Sequence, residues 1–278
     1  MTKQKSKLLP NSKLIKKLWS MPLWRNRLLK LMSRILNVVD IKVEDIQKIM
    51  ETNKKNDAVI FDELIKLNKA PVEIYNEEYD TKRTFRKWQF MRTNLTTHVK
   101  SLLDMGGNVG NTASVLGHRI LNIPKSKIYV VDIENWEGKK WTPRNDITFV
   151  EYNKMDTIPD NSIDLITIFH TLHHIPTTEY DNILKQFYRI LTKDGCIVLY
   201  EHNCSENNWA AIIDIEHALY DVVVSKKKSY KEYVKTYYAK YLSINKWEAL
   251  FKKYNFSKYY QKELNNTDNS VYMYFQSD

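Results

Sequence analysis

The spacing of apolar positions changes near residue 100. Before it the period is helical. Leu14, Ile15, Leu18 and Trp19 make one short apolar face, and Leu28, Leu31, Met32 and Ile35 fall at i, i+3, i+4 and i+7 of a second. Pro22 separates the two pieces. VEDIQKIMETN and AVIFDELIKLNK carry the same period, so residues 40–100 read as mostly helical. TKRTFRKWQFMRTNL then interleaves bases with Phe85, Trp88 and Phe90. Two readings stand there: a grip on a single nucleic-acid strand by phosphate contact and stacking, or an amphipathic helix that packs Phe85, Trp88 and Met91 inward.

From residue 101 short apolar runs alternate with helical stretches: SLLDM, TASVLGHRILN, KIYVVDI, ITFVEY, SIDLITIF, YDNILKQFYRILTK and CIVLYEH. Strands alternating with helices predict an α/β fold, a mostly parallel, doubly wound sheet with helices on both faces. Right-handed crossovers fix most of its topology. FSKYYQKEL and SVYMYFQ flank NNTDN and predict a C-terminal antiparallel hairpin closing the sheet. Three regions are expected: a basic amphipathic arm over 1–39, a helical region or lid over 40–100, and the α/β domain over 101–278, interrupted by a helical insertion at 205–255.

Charge changes the picture of the arm. The formal net charge is +10, yet the first acid is Asp40, and ten bases precede it: Lys3, Lys5, Lys7, Lys13, Lys16, Lys17, Arg25, Arg27, Lys30 and Arg34. The whole excess therefore sits on residues 1–39, and the body is formally neutral. A basic amphipathic helix docks on its own domain, contacts RNA, or lies on an anionic surface. Being basic and acid-free, the arm also resembles a mitochondrial transit peptide, so that address stays open beside the cytoplasmic one. The cytoplasm is expected because only Cys196 and Cys204 are present, too few for a disulfide scaffold. No apolar run is long enough for a transmembrane segment.

The chain has six glycines, and three fall within SLLDMGGNVGNTASV, as Gly106, Gly107 and Gly110. Glycine weakens regular elements, so a cluster marks a demand of backbone geometry. In an open α/β sheet the loop after the first strand is the usual ligand contact, and the helix N-terminus near Asn111 and Thr112 offers free amides. G-G-x-x-G is not the nicotinamide fingerprint G-x-G-x-x-G, and no P-loop lysine follows. The loop resembles the first motif of class I S-adenosylmethionine-dependent methyltransferases, D-x-G-x-G-x-G, with Asp104, Gly106 and Gly110 matching. Asn108 stands where the middle glycine is usual, and Asn tolerates positive φ better than most residues. KIYVVDIE ends a second strand at Asp132, and EYNKMDTIPDNSIDLITIFHTLHHIP and YRILTKDGCIVLYE are similar to later segments of the small-molecule, type 11 group.

The resemblance implies a seven-stranded Rossmann-like sheet and S-adenosylmethionine as cofactor. It implies main-chain contact at Gly106, Gly107, Asn108 and Gly110, an amine partner in Asp104 and a ribose partner in Asp132. Ile133 and His170 join the cofactor contacts. Asn153 is matched to the adenine-amine position, with Asp156 as rival. An acceptor losing a proton needs a base near the strand ends. Glu201, His202 and His217 are the catalytic candidates, expected to converge with Glu216, and no metal is expected. His170, His173 and His174 lie in the same region, with a local structural role expected for His174. SKKKSYKEYVKTYYAKYLS mixes bases with tyrosines, which suits a small-molecule or an RNA acceptor, or an ordinary helix with a tyrosine face. The competing expectation is a catalytically inactive scaffold that binds RNA or an acidic partner through its arm.

Overall fold

Successive side chains of a strand point to opposite faces, and the buried runs sort themselves that way. Leu103 and Met105 enter one apolar cluster with Tyr180, Ile183 and Phe187, while Leu102 enters another with Ala113, Leu116 and Met91. The sheet is therefore covered on both faces. In the computed structural model the described residues are 8, 12–52, 56–69, 77–95, 98–133, 135–136, 139–140, 142–264 and 267–278. Lys3, Lys5 and Lys7 of the arm, and the first two residues of NNTDN, lie outside them.

The seven strands are β1 Leu102–Met105, β2 Ile128–Asp132, β3 Thr148–Glu151, β4 Ile163–Phe169, β5 Leu191–His202, β6 Phe256–Glu263 and β7 Ser270–Ser277. Their order is β3-β2-β1-β4-β5-β7-β6. The pairs β2–β3, β1–β2, β1–β4 and β4–β5 are parallel, and β6 with β7 is the antiparallel hairpin. This is the Rossmann-like sheet expected. The strand order reverses between β1 and β4, the switch point where such sheets bind ligands.

The chain divides into two compact units. One takes residues 75–201, 242–264 and 270–278, with the sheet. Its helices are α5 Glu77–Met91, α6 Asn111–Ser114 running into a π-helical Val115–Ile120, α7 Tyr180–Ile190 and α10 Ile244–Lys252. Helix α5 buries Thr84 and Met91, while Phe85 is 43% exposed. Phe85 was expected inward with Met91. Residues 84, 88 and 91 fall on one helical face, and Phe85 is turned about 100° from Thr84.

The other unit takes residues 1–74, 202–241 and 265–269, where described. It holds α1 Leu14–Trp19, α2 Pro22–Leu36, α3 Val43–Thr52, α4 Asp57–Leu67, α8 Asn207–Ala218 and α9 Tyr230–Thr236. Pro22 sits at the first position of α2, where a missing N–H is harmless. Leu28, Leu31, Met32 and Ile35 join Phe61, Ile212, Ile215 and Leu219 in one core, so the arm docks within its own unit. Asp57 reinforces this by accepting from Leu14 N at 2.8 Å and Ile15 N at 3.1 Å, which caps α1. Lys13, Lys17, Arg25 and Lys30 remain exposed. Ser229 and Glu232 form a capping box that starts α9. Among the described residues no helix is long and apolar enough to cross a membrane.

Candidate functional site

The site is built from the ends of β1 and β2. Asp104, only 2% exposed, lies opposite Thr167 of β4 in register, and the Thr167 hydroxyl donates to its Oδ1 at 2.7 Å. Burial pushes the Asp104 carboxyl up to about 6, against the pull of Thr167 and the Lys87 charge. Gly106 turns the chain at φ 71°, and its N–H donates to the Val131 carbonyl at 2.8 Å. A Cβ there would stand 2.2 Å from Thr171 Cγ2, so no side chain fits unless Thr171 moves. At Gly107 a Cβ would meet Asp104 Oδ2 at 2.7 Å. Gly110, at φ 94°, opens the short α6.

Asn108 holds φ 54°, the left-handed region in which Asn replaces glycine at little strain. Its N–H donates to Asp132 Oδ2 at 2.8 Å, and Ile133 N–H donates to Asp132 Oδ1 at 2.7 Å. The carboxylate at the end of β2 thus ties the glycine loop to the neighbouring strand. Burial raises the Asp132 pKa from its ordinary value, and those two amides oppose the rise. Ile133 is 42% exposed and presents an apolar side chain beside that carboxylate.

A cavity of about 270 Å³ opens above the loop, walled by Asp104, Gly106, Gly107 and Asn108. Asn111, Thr112 and Phe169 continue the wall, and α5 closes it with Asp80, Arg83 and Lys87. Bare main chain, carboxylates and cations in one enclosure form a donor and acceptor set that fits S-adenosylmethionine, a nucleoside carrying an ammonium, a carboxylate and a sulfonium. Asp80, Arg83, Lys87 and Phe169 were missed from the sequence. The signal was present: residues 80, 83 and 87 are spaced i, i+3 and i+7, one polar helical face.

The remaining expected residues are placed as follows. Asn153 and Asp156 are exposed on the 3₁₀ segment Tyr152–Thr157 after β3. His170 holds φ 53°, stacks on Tyr200 at 4.3 Å between ring centres, and places Nε2 3.2 Å from Ser270 Oγ. Glu201 is fully buried and takes the His173 ring as partner, Nδ1 to Oε2 at 2.6 Å. His173 Nε2 then meets His174 Nε2 at 3.0 Å. If Nδ1–H of His173 donates to Glu201, its Nε2 accepts and His174 Nε2–H donates, which fixes both tautomers.

In the other unit, His202 Nδ1 lies 3.1 Å from the Asp268 carbonyl oxygen, and His217 Nδ1 lies 2.9 Å from that of Ile213. Their ring centres are 5.7 Å apart, so these two candidates are brought together. Burial lowers the His202 pKa from its ordinary value, and Asp268 opposes the shift. Glu216 accepts from Arg34 Nη2 at 2.6 Å.

Comparison with known proteins adds the following. Residues 70–261 match a family model described as a methyltransferase domain. No curated protein matches the chain. Among solved structures, a protein from Pyrococcus horikoshii is 14% identical, with 73% of this chain and 93% of that one covered and a TM-score of 0.49. A SAM-dependent methyltransferase from Archaeoglobus fulgidus is 12% identical, with 80% and 100% covered and a TM-score of 0.49. A SAM-dependent methyltransferase from Methanosarcina mazei is 18% identical, with 67% and 96% covered and a TM-score of 0.46.

Proposed function

This chain belongs to the methyltransferase-domain family and its cofactor is S-adenosylmethionine; on that premise we propose that it methylates a small molecule. The observation that carries the cofactor site is the cavity lined by Asp104 and the glycine loop, with Asp132 tied to that loop through the Asn108 N–H. In this reading Asp104 takes the ligand's ammonium. The main chain at Gly106, Gly107, Asn108 and Gly110 admits its tail and ribose. Asp132 accepts from the ribose hydroxyls, and Ile133 lies against the base. Asn153 or Asp156 contacts the adenine amine, and His170 borders the sulfur end.

When bound, S-adenosylmethionine supplies a methyl group on a positively charged sulfur, which leaves as a neutral thioether. The protein's own task is alignment and proton handling. The acceptor's lone pair must lie in line with the carbon–sulfur bond, and any proton it sheds must find a base. Glu201, His202 and His217 are the groups we assign to that role. Glu201 acts through the His173 ring that it orients. His202 and His217 each direct Nδ1 to a main-chain carbonyl, which orients the two rings.

A small molecule is favoured over RNA by the placement of the tyrosines. Tyr230, Tyr233 and Tyr237 of the lysine–tyrosine segment are buried in the core of their unit, so they offer no stacking platform. The exposed lysines of the arm are compatible with an anionic surface or RNA as a secondary contact. Sparse cysteine content supports the cytoplasm as the compartment.

Two experiments test this reading. Calorimetry with S-adenosylmethionine should show binding, and Asp132→Ala should weaken it by about 1.5–3 kcal/mol, one set of charge-assisted hydrogen bonds. Incubation with a methyl-labelled donor and separate RNA, protein and metabolite pools should label the metabolites. Label in RNA overturns the acceptor class. Donor binding with no label in any pool supports the inactive scaffold.

A further inference from the structure

The bases of residues 1–39 carry the whole charge excess of the chain, and the fold gives several of them a defined place. Helix α2 spends Leu28, Leu31, Met32 and Ile35 on the core of its unit. Leu23, Arg27 and Lys30 fall at i, i+4 and i+7, on a stripe turned away from that core. Leu23 is 59% exposed, the most of any large apolar side chain among the described residues. Pro22, Asn26 and Lys30 beside it are exposed as well. The Arg27 guanidinium is held in place, 4.9 Å from the centre of the Trp24 ring and 4.5 Å from that of Trp209. Helix α1 adds Lys13 and Lys17, one turn apart and both exposed. Among the described residues none of Lys13, Lys17, Arg27 and Lys30 forms an ion pair. Arg34, further along the stripe, differs: it holds Glu216 at 2.6 Å, so its charge is met within the unit.

We infer that this face docks on a lipid bilayer with anionic headgroups. Leu23 enters the boundary between headgroups and acyl chains, Arg27 and Lys30 meet the lipid phosphates, and Lys13 and Lys17 add to the attraction. The docking acts in addition to the cofactor site and does not depend on it. Two observations select a bilayer over nucleic acid. A bare leucine set in a row of cations gains nothing from a phosphate backbone, whereas the layer below the headgroups accepts an aliphatic side chain. The tryptophans of the arm, Trp19 and Trp24, are 9% and 5% exposed, so they offer bases no stacking platform.

The mode differs from that of an ordinary interfacial helix, whose whole apolar face enters the membrane. Here that face is core, which leaves one leucine and a layer of charge. Attachment of this kind is reversible and weakens as salt screens the headgroups.

The test is sedimentation of the full chain with vesicles of phosphatidylcholine alone and of phosphatidylcholine with about one third phosphatidylserine. The chain should bind the mixed vesicles at low salt, release them as salt rises, and leave the neutral ones. Lys13→Gln, Lys17→Gln and Lys30→Gln together should weaken binding by roughly ten- to a hundredfold, about fivefold or less for each cation. Leu23→Gln should weaken it by roughly three- to tenfold. Leu23→Trp should retain it, because tryptophan suits the interface. All four positions are exposed, so the melting temperature should hold in each variant. No binding to the mixed vesicles, or binding that Leu23→Gln leaves unchanged, overturns the inference. An RNA duplex bound more tightly than the mixed vesicles assigns the face to nucleic acid and overturns it as well.

Discussion

Gly106 and Asn108 both hold positive φ, at 71° and 54°, but they differ in what else they require. Asn108 needs the left-handed backbone, which Asn and Gly both accept, and its Oδ1 accepts from the Val109 N–H at 2.6 Å, so Asn108→Gly should cost no more than about 1 kcal/mol, one exposed hydrogen bond. Gly106 also needs empty space, because Thr171 Cγ2 would lie 2.2 Å from an added Cβ. Gly106→Ala should destabilise by about 1–3 kcal/mol or more, combining backbone strain with overpacking. Urea unfolding measures it, and a Thr171→Gly background should return the steric part and leave the backbone part. A second residue-level prediction concerns pH. Asp104 is raised from 3.8 to about 6, so the folded state holds its proton more tightly, and the stability this contributes at low pH is lost as pH rises through 6. Lys87 is lowered from 10.5 to about 7, so its contribution is present at high pH and is lost as pH falls through 7. Ligand-free protein should show the smallest joint contribution from this pair between about pH 6 and 7. Thermal melts across pH should reveal the dip, with Asp104→Asn flattening its acid side and Lys87→Met its alkaline side.

At the scale of elements, period and composition carried far. The alternation after residue 100 predicted each strand of the sheet, and the glycine cluster marked the loop whose backbone makes the turns seen at residues 106 and 110. Local patterns of this kind need no partner to be read. What required partners was not legible. The polar stripe at residues 80, 83 and 87 is visible in a helical projection, but only packing against α6 decides that it faces a cavity. The same packing turns Phe85 outward. Glu201 was expected among His202, Glu216 and His217. Its ring partner is His173, because β4 and β5 are neighbours in the sheet and the turn after β4 returns there. Excess charge on residues 1–39 left docking, RNA and an anionic surface open, and the arm's apolar positions at Leu28, Leu31, Met32 and Ile35 are core of its own unit. Deleting the arm would therefore confound charge with folding. Replacing Lys13, Lys17, Arg25 and Lys30 by Gln should leave the melting temperature nearly unchanged, as exposed substitutions do, and should flatten any salt dependence of RNA or vesicle binding. By contrast Leu31→Ala, at a fully buried position, should cost about 2–5 kcal/mol.

At the scale of the whole molecule, two compact units predict two calorimetric unfolding transitions. S-adenosylhomocysteine at a hundred times its Kd should raise only the unit carrying the glycine loop, by about 2.7 kcal/mol. A single transition that shifts as a whole would show that the units unfold together. The composition of the other unit has a further consequence for the newborn polypeptide. Helices α1 to α4 are complete by residue 67, yet Ile212, Ile215 and Leu219, which share their core, are translated some 150 residues later. At ordinary elongation rates of about 5–20 residues per second, that delay is on the order of ten to thirty seconds. Throughout it the leading helices lack those core partners, while five of the seven strands of the sheet are synthesised behind them. Until residue 219 has emerged, the apolar faces of those first helices are open to aggregation in the growing polypeptide.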